Sequence, residues 1–302
     1  MQKYISEVKE AIGDRPTVLQ EVDFPILEEI FKKMLIKCGI AGEGINFLGP
    51  ERIVADYRYA GYGGSYSPEG NVIKIYDSER AQNLIGFLRE EGVEEDDAAV
   101  KEFKRLAGIS ALIHEETHAV ARSVCVKAGE GSSKYAPEGR IVRQQLGYQI
   151  DQLKDPSQDS DFVEDVDSFF AAFNEAITEM IAREIFYEYL QANGLNSTPG
   201  AKFAQKYLEG KHQYNVFIVI AEKMADKIAR KTGQSRDAVL QAFKRGMIEG
   251  EVITQGESRE WFEEIFTKDF FSSLEKLDTY DYDAAANFID EWFEGELGSG
   301  TQ

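Results

Sequence analysis

Ile113-His114-Glu115-Glu116-Thr117-His118-Ala119 is an H-E-x-x-H sequence set inside an apolar helical run. Residues four apart on a helix stand one turn above each other on the same face. His114 and His118 therefore offer two imidazole nitrogens to one zinc ion, at about 2.0–2.1 Å each. Glu115 is turned about 100° from His114, so it flanks such a metal without being a natural ligand. From there its carboxylate can take a proton from a water that the metal has acidified toward a pKa of about 7. The chain has only 3 histidines, which makes the coincidence of two of them in this pattern informative.

On the N-terminal side, residues 1–40 read as helical, with Leu27, Ile30, Phe31, Met34 and Leu35 at helical spacing and Gly39 as the stop. Residues 41–77 lose that period. Arg52–Tyr57 and Asn71–Tyr76 read as strands, and the Gly/Tyr-rich 61–70 between them as a loop or irregular hairpin. That loop matches neither the P-loop nor the dinucleotide spacing. Ser78 to Glu90 reads as a helix closed by Gly92. The H-E-x-x-H helix is expected from about Asp97 to Lys127, with Val100, Phe103, Leu106, Ser110, Ile113 and Thr117 on its buried face.

On the C-terminal side, 129–160 is loop-like except for Arg140–Ile150, which reads as a strand or a short helix. A second long helix is expected over Asp161–Leu190. Beyond it the chain is almost wholly helical, with breaks at Gly194, Pro199, Gly210, Gly233 and Gly250–Gly256, and helix starts at Ser235 and Asp281. The implied divisions are an N-terminal helical segment (1–40), a sheet with the H-E-x-x-H helix (41–128), and a connecting loop with the second helix (129–192). A helical C-terminal subdomain (193–294) and a flexible tail (295–302) follow.

A catalytic zinc takes three protein ligands and keeps the fourth position for water. The all-histidine solution fails, because the positions that need Gly and His hold Ala121 and Val124. Glu138 lies at a short spacing after His118, but in Ala136-Pro137-Glu138-Gly139, which reads as a turn. Glu175 in Phe173-Asn174-Glu175-Ala176-Ile177-Thr178-Glu179 is the competing ligand. Glu179 stands one turn further on, where it can accept the N–H of a ligating histidine and fix its tautomer. Val166, Phe169, Phe173, Ile177 and Ile181 bury one side of that helix, while Ala171, Ala172 and Ala176 allow a close approach to the first.

His114-Glu115-Glu116-Thr117-His118 followed by Asn174-Glu175-Ala176-Ile177-Thr178-Glu179 resembles the gluzincin metallopeptidases, in which an Asn-Glu pair precedes an acidic residue by one turn. The resemblance implies zinc ligands His114, His118 and Glu175, with Glu115 as general base and Glu179 and Asn174 supporting the ligand set. The gap between the motifs is longer than in thermolysin and closer in style to neprilysin-like enzymes, and the likeness covers two helices only. The implied fold is α+β and predominantly helical. It is zincin-like, with a small mixed or antiparallel sheet before the active helix and a helical C-terminal half. In such enzymes an edge strand binds substrate as an added strand; Asn71–Tyr76 is the candidate. A downstream His and a Tyr stabilise the oxyanion, and His212 and Tyr148 are the candidates here.

The expected activity is zinc-dependent hydrolysis of a peptide or protein substrate. The competing expectations are a catalytically silent zincin-like binding module and a zinc hydrolase of non-peptide substrates. The formal charge of −20 argues against nucleic acid as partner. There is no long apolar run for a membrane span and no signal-peptide-like start, so the expected location is cytoplasmic. Cys38 and Cys125 do not make a disulfide framework.

Overall fold

The computed structural model describes residues 22–42, 45–56, 63–68, 70–76, 82–93, 98–127, 141–153, 166–210, 212–251 and 259–294. These residues are mostly helical with two small sheets, an α+β arrangement. The chain divides into two compact units, each discontinuous in sequence: residues 1–120 with 178–215, and residues 121–177 with 216–302.

The first unit opens with α1 (Phe24–Lys37). Asp23 caps it by accepting the Ile26 N–H at 3.1 Å, and Pro25 sits in its first turn. Leu27, Ile30, Phe31, Met34 and Leu35 are buried as their spacing predicts. Gly39, at φ 81°, ends the helix in the left-handed conformation that glycine adopts without strain.

Three strands follow: β1 (Ile53–Asp56), β2 (Gly64–Ser67) and β3 (Val72–Tyr76). Their order is β1-β3-β2, with β1 parallel and β2 antiparallel to β3. This corrects the expectation for Asn71–Tyr76, which forms the middle of the sheet, not an edge. Ile73 and Ile75 are buried against Leu48, Ile53, Leu112 and Ala119, and that two-sided pairing leaves β1 and β2 as the edges of the described sheet. β2 lies inside the 61–70 stretch that reads as a loop or irregular hairpin, and it pairs antiparallel with β3; its Gly-Ser-Tyr-Ser sequence has no apolar alternation to announce a strand.

After α2 (Gln82–Glu90), α3 (Ala98–Val120) carries the H-E-x-x-H sequence and packs on β2 and β3. Val100, Phe103, Leu106, Ile109, Leu112 and Ile113 are fully buried. The helix stops at Val120, short of the expected Lys127. Ser123–Lys127 contains Val124 and Val126, whose β-branched side chains suit a strand, and this segment is β4. The unit is completed by the later turns of α4 (Ala171–Ala192) and by α5 (Pro199–Gly210). Glu102 on α3 accepts the Gly200 N–H at 3.0 Å, tying the start of α5 to α3.

The second unit holds an antiparallel sheet ordered β4-β5-β6-β7, with β5 (Ile141–Leu146), β6 (Gln149–Leu153) and β7 (Val166–Phe169). Arg140–Ile150 is thus neither one strand nor one helix: Gly147, at φ 57°, and Tyr148 turn it into a hairpin. The second long helix begins at Ala171 and not at Asp161. Val166 and Phe169, whose spacing fits a helical face, belong to β7, and Phe170 at φ 59° separates strand from helix. The Phe170 carbonyl accepts the Asn174 N–H at 2.9 Å and starts α4.

Helices α6 (Asn215–Thr232), α7 (Arg236–Glu249), α8 (Arg259–Ile265), α9 (Lys268–Leu274) and α10 (Tyr282–Ile289) fill the rest. Ser235 and Asp281 cap α7 and α10 as expected, accepting from Ala238 and Ala284. Phe243, Phe262, Phe270 and Phe288 form the buried aromatic core of this unit. No helix among the described residues is long and apolar enough to cross a membrane. Ser78, Glu138, the start of the chain and the tail from Gly295 lie outside the described residues.

Candidate metal centre

α3 raises His114 and His118 on consecutive turns, with ring centroids 5.0 Å apart, and both are buried. Glu115, on the same turn, lines a cavity together with His114. The three side chains are held by a helix that is buried all round from Leu112 to Val120, so its position has little freedom.

α4 supplies the carboxylates. Glu179 Oε2 lies 2.9 Å from His114 Nδ1. Its Oε1 accepts from Arg183 Nε at 2.8 Å and lies 3.4 Å from His212 Nδ1. Burial pushes this carboxyl upward, but the charges of His212, His114 and Arg183, with the His114 hydrogen bond, outweigh it and hold the pKa at about 2. An ionised Glu179 accepts the Nδ1–H of His114, which makes Nε2 the ring atom that would ligate a metal. The contact between Glu179 and His114 is the one the sequence reading expects.

Glu175 stands one turn earlier on the same continuous helix. The ligand atoms of His114, His118 and Glu175 all lie within 4.8 Å of one another. Two imidazoles and a carboxylate form the donor set of a three-ligand zinc site, so these residues fit a bound metal ion. They are the one such group among the described residues.

Asn174 acts at a different place from the ligands. Its side-chain oxygen accepts the Tyr148 N–H at 2.9 Å and fixes the β5–β6 hairpin to the start of α4. A Cβ at Gly147 would stand 2.5 Å from that oxygen, which explains the glycine. Tyr148 itself is a core residue. It is 1% exposed, packs on Phe173, and donates its hydroxyl to the Phe243 carbonyl at 3.0 Å. Its hydroxyl is committed to that carbonyl, which corrects the assignment of Tyr148 as an oxyanion donor.

His212 does line the cavity, beside Tyr214. Tyr214 stacks on the His114 ring at 5.4 Å and 17°, and makes an edge contact with His212. The sequence offered no sign of Tyr214 beyond its nearness to His212. Arg183 was legible in principle, since it stands four residues after Glu179 on a helix.

The cavity encloses about 840 Å³ including its open mouth. Away from the histidines its wall is apolar, formed by Leu84, Phe103, Ala107, Ala204, Tyr207 and Leu208. On the other side β2 approaches α3 through two glycines. A Cβ at Gly63 would meet the Ala111 Cβ at 2.5 Å, and one at Gly64 would meet the Glu115 Cγ at 2.8 Å. Glycine is needed there for the strand to lie against Glu115.

Glu116 faces away from this cavity. It is 1% exposed and accepts the Leu48 backbone N–H. Burial pushes its carboxyl well above the ordinary range; the Leu48 bond opposes this and Glu28 adds to it. Glu116 ties the approach to β1 onto α3, where Asn46 also donates to the Ala119 carbonyl at 3.0 Å. No protein-family model, curated protein or solved structure matches the chain.

Proposed function

We propose that this chain is a zinc-dependent peptidase of the gluzincin type, with a zincin-like core. The observation that carries the reading is the His114–His118–Glu175 donor set with Glu115 beside it on a cavity. Zn2+ bound by these three residues supplies Lewis-acid polarisation of a carbonyl and lowers the pKa of a water.

The chain's own residues do the rest. Glu115 takes a proton from the attacking water as the water oxygen bonds to the carbonyl carbon, and returns it to the amide nitrogen as the C–N bond breaks. His212, whose Nδ1 lies 3.4 Å from Glu179 Oε1, would donate from Nε2 to the oxygen on which negative charge develops. Strand β2, at an edge of the described sheet, passes against Glu115 and would receive an extended peptide as a further strand. The apolar wall of the cavity suits a large aliphatic or aromatic side chain of that peptide.

The test is digestion of a mixed peptide library with and without chelator, alongside Glu115→Gln. The expected result is cleavage that chelation removes and zinc restores, and a Glu115→Gln protein that holds zinc but does not cleave. A wild-type protein that binds zinc yet cleaves no peptide would overturn the peptidase assignment.

A further inference from the structure

We propose that Arg183, steadied by Asn215, is a positioning residue that joins the metal-ligand helix to the His212 turn through the single carboxylate of Glu179. The proposal rests on the metal-centre reading above.

Arg183 bonds in two directions. Its Nε donates to Glu179 Oε1 at 2.8 Å, and its Nη2 donates to the Asn215 side-chain oxygen at 2.7 Å. Asn215 is itself locked across the turn that carries His212. Its side-chain nitrogen donates to the Glu209 carbonyl at 3.1 Å, and its backbone N–H donates to the His212 carbonyl at 3.1 Å. Glu179 completes the link, with Oε2 on His114 and Oε1 facing both Arg183 and His212. One carboxylate therefore serves a metal ligand and a cavity histidine at once.

Physical chemistry gives Arg183 the deciding part. Glu179 is 2% exposed, and a buried carboxylate needs a counter-charge. A histidine is a conditional cation, whereas a guanidinium is charged throughout the accessible pH range. Its planar fork fixes direction as well as charge, so Glu179 cannot rotate about its last torsion and stay bonded. A lysine at 183 would supply a point charge and one contact, not two at a fixed angle. Arg183 does not line the cavity, so it acts on the cavity side chains through Glu179 and through Asn215.

The experiment uses the full chain as wild type, Arg183→Ala, Arg183→Lys, Asn215→Ala and the Arg183→Ala/Asn215→Ala double variant. Zinc affinity is measured by competition with a chelator. The His114 tautomer is read in the metal-free proteins by long-range proton–nitrogen NMR, and thermal melting reports the fold. Expected are a loss of zinc affinity of about 10–100-fold in Arg183→Ala and partial recovery in Arg183→Lys. Asn215→Ala should lose less, and its effect should vanish in the Arg183→Ala background. The metal-free wild type should hold His114 in the Nδ1–H form, and Arg183→Ala should mix the tautomers. Wild-type affinity and an unchanged tautomer in a folded Arg183→Ala protein overturn the proposal. Should Arg183→Ala not fold, unchanged affinity and tautomer in both Arg183→Lys and Asn215→Ala overturn it equally. A wild type that takes up no zinc removes the metal-centre reading, and the tautomer measurement then decides the role of Arg183 by itself.

Discussion

Oε2 of Glu179 and Nδ1 of His114 lie 2.9 Å apart, and both side chains are buried. The bond joins α4 to α3 at the turn that carries Glu115, so the ring orientation of one ligand is set by the other helix. Glu179→Gln keeps the size but removes the charge that favours the Nδ1–H tautomer. Zinc affinity should fall by about 10–100-fold, with a smaller effect on melting temperature. Chelator competition against calorimetry on the same samples separates the two effects. Equal zinc affinity would detach Glu179 from the ligand set.

Gly64→Ala should damage turnover without emptying the metal site. The new Cβ would stand 2.8 Å from the Glu115 Cγ and 2.9 Å from the Lys74 carbonyl oxygen, so either Glu115 or β2 must move. Overpacking of this kind costs about 1–3 kcal/mol. The expected pattern is near-full zinc content, a reduced urea midpoint and a fall in kcat larger than any change in KM. Gly63→Ala, facing the Ala111 Cβ at 2.5 Å, should perturb stability in the same way.

The apolar side of the cavity makes a prediction about substrates. Ala107→Leu places new bulk on the wall shared with Phe103 and Leu208. Peptides whose cleavage depends on a large apolar side chain should lose about 10-fold or more in kcat/KM, while those with small side chains lose little. A panel of matched peptides measures this. A uniform loss across the panel would mean that the wall does not select side chains.

Local signals in the sequence were legible and non-local ones were not. Gly39, Ser235 and Asp281 mark helix ends because capping is decided within a few residues. His114/His118 and Glu175/Glu179 could be paired because helical spacing is local too. The place of β3 in the middle of its sheet depends on one strand 20 residues before it and another 7 residues before it, in the register Ile53↔Ile73 and Tyr66↔Ile73. Nothing local encodes such pairing. Tyr148 and Tyr214 are the same residue type near the same motifs, and only tertiary packing sends the first to a core carbonyl and the second onto His114. Val166 and Phe169 misled because two apolar residues three apart suit a helix or a short strand alike.

Glu116 separates structure from chemistry inside the H-E-x-x-H sequence. It is buried, and its carboxyl is pushed well above the ordinary range, chiefly by burial. For a group whose pKa is raised on folding, stability is fully present below the unfolded pKa and is lost as pH rises through the folded one. Glu116→Gln keeps an acceptor for the Leu48 N–H and carries no charge to desolvate. Its stability should match wild type in acid and exceed it increasingly as pH rises above the ordinary glutamate range. Glu116→Ala leaves the Leu48 N–H without its acceptor and should cost about 1–3 kcal/mol at every pH. Urea melts of the three proteins from acid to neutral pH measure both effects, with zinc chelated throughout so that only folding is read. A Glu116→Gln curve that runs parallel to wild type would mean that this carboxyl ionises normally in the fold.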